Sequence, residues 1–113
     1  MSDLARDHLN RPMRSFREFA LHQRCVRLTC RSRSCGHQAI FEAVCLWWLV
    51  ERRNWSDDPA KLFSHFYCRR CWSLRLGKVF RPYWELTVDQ PNATHLPPPP
   101  EREWKRLISR YRS

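Results

Sequence analysis

Two spacings of apolar residues alternate along this chain, and each predicts an element. Across residues 24–29, Val26 and Leu28 alternate with Arg27 and Thr29. This period of two predicts a strand with the apolar pair turned inward. From residue 37 to residue 53 the period lengthens. Ile40, Phe41, Val44, Trp47, Trp48 and Val50 cover more than one helical face, which predicts a largely buried helix with Glu42, Glu51, Arg52 and Arg53 on its solvated edge. Asn54 and the run Asp57-Asp58-Pro59 break that helix. Asp57 or Asp58 then caps a second, short helix through Lys61, Leu62, Phe63 and Phe66, with Pro59 tolerated in its first turn. Farther on, Leu74, Leu76, Val79 and Phe80, then Tyr83, Trp84 and Leu86, read as strand material interrupted at Gly77 and Pro82.

The ends follow the same logic. Ser15-Phe16-Arg17-Glu18 fits a capping box, with Phe16, Phe19 and Ala20 at helical spacing behind it. Residues 89–100 are rich in proline and finish in four consecutive prolines, a connector of extended polyproline geometry. Over residues 101–111, Trp104, Leu107, Ile108 and Tyr111 share one face of an amphipathic helix whose basic residues include Lys105, Arg106 and Arg110. The organisation expected is therefore a basic, partly helical segment (1–23), a central domain (24–88), and a Pro-rich linker with an amphipathic basic tail (89–113).

At 113 residues there is room for one small domain with tails. A core of that size is modest, so a metal staple is a reasonable supplement. The longest apolar run, residues 43–50, is far short of the roughly 20 residues that span a bilayer. The first 23 residues are polar and charged, without an apolar run suited to a signal peptide, which points to a reducing, cytoplasmic setting.

In that setting the six cysteines suggest metal ligation rather than a disulfide framework. Two close pairs stand out, Cys30-Arg-Ser-Arg-Ser-Cys35 and Cys68-Arg-Arg-Cys71. Each spacing lets a tight turn aim two sulfurs at one ion, and together they supply the four ligands of a structural Zn²⁺. Gly36 follows the first pair, where a chain leaving such a turn often takes a positive φ. Cys25 repeats the spacing to Cys30 but faces the other way on a strand, and His37 or His65 could replace a sulfur or hydrogen-bond one. Cys45, within the apolar helix, reads as a small buried hydrophobe. A closed four-sulfur site has no open coordination position, and no Glu stands nearby as a general base. The expectation is a protein that is not an enzyme.

The formal charge is +10, from 21 Lys and Arg against 11 Asp and Glu, and nearly all the basic residues are Arg. The planar guanidinium fork suits phosphate or carboxylate. Residues 1–37 hold eight arginines against three acids, and residues 68–88 five bases against one acid, whereas residues 38–67 are close to neutral. Four thiolates on one zinc carry −2, leaving the loaded protein strongly basic. Arg27, Arg31, Arg33, Arg69, Arg70 and Arg75 would gather near the zinc, with Trp72, Tyr83 and Trp84 available to stack on bases or to pack a small core. The first functional expectation is a noncatalytic module that binds nucleic acid, or a transcription or other nucleic-acid-handling complex. The second is a protein–protein adaptor that docks through its Pro-rich tail, with Trp104, Leu107, Ile108 and Tyr111 as groove anchors.

The elements Cys30, Cys35, Gly36 and His37, then Cys68 and Cys71, resemble those of small bacterial zinc-ribbon-like proteins. In these a Cys-x-x-Cys-Gly-His turn follows a strand, and a helical stretch leads to a second Cys-x-x-Cys turn. The likeness covers about residues 24–80. It departs in the two extra residues of the first pair and in Trp72, which stands where Gly is common. It implies zinc binding, while the residue patterns themselves predict an α+β zinc ribbon of short antiparallel strands with a two-helix insert between the cysteine turns, a helical N-terminal segment and a Pro-linked C-terminal helix. For ribbons generally the likeness also implies roles on nucleic acid or in transcription assemblies.

Overall fold

The first strand, β1 (Cys25–Thr29), is the centre of a three-stranded sheet. Its alternation does what the pattern predicts: Val26 and Leu28 are buried and the residues between them half-buried. The protein is described from a computed structural model covering residues 5, 6 and 11–112, with side chains described as far as Arg110. On one side β1 pairs antiparallel with β2 (Gln38–Glu42), and on the other with β3 (Tyr83–Thr87), giving the order β2-β1-β3. The registers bring Val26 opposite Phe41 and Leu86, and Leu28 opposite Ala39 and Trp84.

Strand β2 corrects the expected helix over residues 37–53. The helix α2 (Ala43–Arg53) starts only after β2, so Ile40 and Phe41 belong to the sheet. The apolar run is continuous across the junction, so it carries no mark of the change from ladder to helix. What decides it is pairing. Gln38 to Glu42 take partners from β1, and Ala43 N–H still donates to the Arg24 carbonyl as the helix begins. The outer edge of β2 is covered by the linker: Ile40 N–H donates to Asn92 Oδ1 at 2.8 Å, and the Asn92 and Ala93 N–H groups donate back to the Ile40 carbonyl. This closes an edge otherwise open to a foreign strand.

Helix α2 buries Ala43, Leu46, Trp47, Leu49 and Val50, and stops where Asn54 enters the left-handed region at φ 54°. Its packing partner α1 (Phe16–Leu21) is capped as expected, Ser15 Oγ accepting from the Glu18 N–H. Asp58 caps the short helix α3 (Pro59–Phe63). Asp57 does something else. Its carboxylate accepts from the Phe16 and Arg17 N–H groups, capping α1 from 40 positions away. The rings of Phe16, Phe19 and Phe63 meet edge to face at the centre of the core, with Phe16–Phe63 centroids 5.5 Å apart.

After α3 the chain forms a single bridge, Tyr67 to Phe80, around the five-residue helix α4 (Arg69–Ser73) and an exposed loop. Leu74 and Leu76, expected in strands, lie in that loop and are exposed. Glycine at 77 and the bend at 81–82 leave them no run long enough to pair. The last helix, α5 (Glu101–Arg112), packs back on the core: Leu107 is buried and Trp104 meets Trp47 at 6.1 Å. None of the described helices is long and apolar enough to cross a membrane.

Candidate metal centre and the basic surface around it

Two short hairpins build the site. In the first, Cys30 follows directly on β1, and its N–H donates to the His37 carbonyl at 2.9 Å, closing the turn before β2. Within the turn the N–H groups of Cys35 and Gly36 both donate to the Ser32 carbonyl, and Gly36 takes φ 61°. That is a conformation where a Cβ would be strained. In the second hairpin, Cys68 N–H donates to the Val79 carbonyl at 3.1 Å, and α4 turns Cys71 back toward Cys68.

The four sulfurs converge. Cys30 Sγ lies 3.7 Å from Cys71 Sγ, and Cys35 Sγ 3.7 Å from Cys68 Sγ. All four lie within 4.8 Å of one another, so they could hold one metal ion. None is disulfide-bonded. Backbone N–H groups point at two of them, Ser32 N–H at Cys30 Sγ (3.4 Å) and His37 N–H at Cys35 Sγ. The His37 N–H lowers the Cys35 thiol pKa. Burial raises that of Cys30, and burial together with the three facing sulfurs pushes Cys71 up to about 12. Four thiolates at such separations would repel one another, and a divalent cation at their centre would convert that repulsion into ligation.

The other candidate ligands stand apart. Among the described residues, no other group of three or more His, Cys, Asp and Glu side chains is arranged to hold a metal. The His65 ring stacks on Trp55 with centroids 4.4 Å apart. His37 contributes its backbone rather than its exposed ring. Cys25 and Cys45 are half-buried near Glu42, and burial raises both thiols, Cys45 to about 11. Cys45 is thus less enclosed than its helix suggests.

The predicted basic residues divide. Arg31, Arg33, Arg69, Arg70 and Arg75 are exposed around the two hairpins. Arg27 is different: it is half-buried within β1, with its guanidinium held by Glu85 and Asp89 and its Nε buried without a partner. The reason is register, since Glu85 lies directly opposite Arg27 on β3. Arg31 lies over the Tyr83 ring at 4.3 Å. Trp84 packs on Phe19 and Phe63, whereas Trp72 is 52% exposed. Lys78 is a member that sequence reasoning missed. Its ammonium lies 4.9 Å from the Tyr67 ring centre and 5.1 Å from that of Trp72, and the five-residue step from Tyr67 to Trp72 fits neither the helical nor the strand period.

The expected adaptor anchors lie elsewhere. Leu107 is buried, Ile108 half-buried and Trp104 packed on Trp47, so the apolar face of α5 is turned to the chain's own core. The Tyr111 side chain lies outside the described residues. Comparison with protein-family models, with curated proteins and with solved structures finds no match to this chain.

Proposed function

We propose that the chain is a noncatalytic zinc-ribbon module that binds single-stranded nucleic acid through the surface of its two cysteine hairpins. The zinc assignment draws on sulfur spacing. Four thiolates bonded tetrahedrally at about 2.3 Å place their sulfurs about 3.8 Å apart, close to the 3.7 Å of both Cys30–Cys71 and Cys35–Cys68. Soft thiolates in that geometry select zinc over hard cations. Four protein sulfurs leave no position open to a substrate, so the metal holds the hairpins together and does no chemistry.

The nucleic-acid assignment is carried by one observation: charge and exposed rings coincide. Residues 30–38 and 67–81 hold seven Lys and Arg and no acid. Among them Tyr67, Trp72 and Phe80 remain exposed. Exposed rings beside cations are what successive unpaired bases and their phosphates require. A duplex keeps its bases stacked inside and leaves such rings unused. The tail-docking alternative has no comparable support, because α5 packs its apolar face against the core.

Fluorescence anisotropy with a labelled single-stranded oligonucleotide, repeated over a salt series, tests the reading. Affinity should fall with salt, by a log–log slope of about 0.7 per phosphate neutralised. Trp72→Ala should cost about 1–3 kcal/mol, the usual contribution of one stacked base. Salt-independent binding, or unchanged binding by Trp72→Ala, would contradict it.

A further inference from the structure

A cleft of about 670 Å³ opens beside the metal site, between β2, the end of α2, the chain leading into Cys68, and the linker strap at Asn92–Leu96. Its volume lies within the range of small-molecule sites. Its lining carries two arginines, Arg53 and Arg69, and three histidines, His37, His65 and His95, and includes no Asp or Glu. The walls are also aromatic, from Trp55, Phe66 and Tyr67 among others. Burial, with the Arg69 charge beside it, lowers the His95 pKa. Arg53 lies 5.6 Å from the centre of the Trp55 ring, which puts a cation and an aromatic surface at the same end of the cleft.

We propose that this cleft is a binding site for a mononucleotide, its base against the aromatic wall and its phosphate between Arg53 and Arg69. An anion is called for by a cavity with two guanidiniums and no carboxylate, since charge complementarity selects the sign of a ligand. An aromatic anion is called for by the rings, because a simple phosphate would leave that wall facing water. Guanidinium forks match phosphate oxygens bidentately, and an unbonded imidazole nitrogen such as that of His95 can complete the set. Tyr67 and Arg69 belong to both the cleft and the hairpin surface, whereas Arg53 and Trp55 belong to the cleft alone and Trp72 to the hairpin surface alone, so substitutions at Arg53 and at Trp72 separate the two sites.

Isothermal titration of the zinc-loaded full chain with adenosine monophosphate, adenosine and inorganic phosphate tests the proposal. Adenosine monophosphate should bind at least about tenfold more tightly than either fragment, each of which keeps only one of the two kinds of contact. Arg53→Gln should weaken it about tenfold, the loss expected from one charge-assisted hydrogen bond. Arg52→Gln, one residue away on α2 and outside the cleft, should leave it unchanged, and both variants should melt as the parent does. Equal binding of inorganic phosphate and the nucleotide would overturn the proposal. So would equal binding of a glutamate-rich peptide, or an Arg53→Gln variant that still folds and binds normally. A chain that binds the mononucleotide but no oligonucleotide keeps this site and loses the hairpin reading; the reverse result does the opposite.

Discussion

Asp57 and Cys68 show how much a single side chain can decide. Asp57 caps α1 from another element, and its removal leaves the Phe16 and Arg17 N–H groups without their acceptor. Asp57→Ala should therefore cost about 1–2 kcal/mol by denaturant melting, and Asp57→Asn, which keeps one acceptor oxygen, should cost less. Burial raises the Asp57 pKa, outweighing the two N–H donors that lower it. The folded chain thus holds the proton more readily than the unfolded chain. Its contribution is fullest below the ordinary carboxylate pKa and declines as pH rises through the raised value. Relative to Asp57→Asn, the parent should lose stability over that window; a difference independent of pH would contradict the burial argument. Among the cysteines, Cys68→Ser should abolish metal binding and cooperative folding together, whereas Cys25→Ser and Cys45→Ser should retain both, read by metal content and thermal melting. The sequence showed that one of Asp57 and Asp58 is a cap, since Asp-Asp-Pro is a helix-start signal. It could not show that the neighbouring carboxylate caps a helix 40 residues earlier, because local patterns carry no information on distant partners.

At the scale of elements, β1 and α1 were readable because each carries its own signal, strict alternation in one and a Ser-x-x-Glu start in the other. Strand β2 was not, because Gln38–Glu42 runs without a breaker into the apolar α2 and its strand character comes from β1. The tail shows a different limit. The amphipathic face of α5 was visible in the sequence, but an apolar face can be covered by the same chain or by another, and spacing does not distinguish them. In the fold it covers the core beside Trp47. Leu107→Asp should detach α5: its amides should lose protection in hydrogen exchange while those of β1 keep theirs. Protection of α5 equal to the parent's would contradict docking in cis. At the centre, Phe16→Ala removes a ring that is fully buried between Phe19 and Phe63. The expected loss is about 3–5 kcal/mol, a large share of a small domain's stability.

For the whole molecule, the cysteine spacing announced the centre because two turns with two sulfurs each constrain the fold more tightly than any apolar pattern. The same spacing is silent on the surface around it. Tyr67, Trp72 and Lys78 come together only because the Tyr67–Phe80 bridge folds one hairpin over itself. A metal held by the four sulfurs would join the two hairpins that carry that surface and border the cleft. X-ray absorption at the zinc edge of the purified chain, with metal content measured on the same sample, tests this most directly. One zinc per chain surrounded by four sulfurs at about 2.3 Å is the expected result. A folded chain without metal, or an ion bound through nitrogen and oxygen, would contradict it.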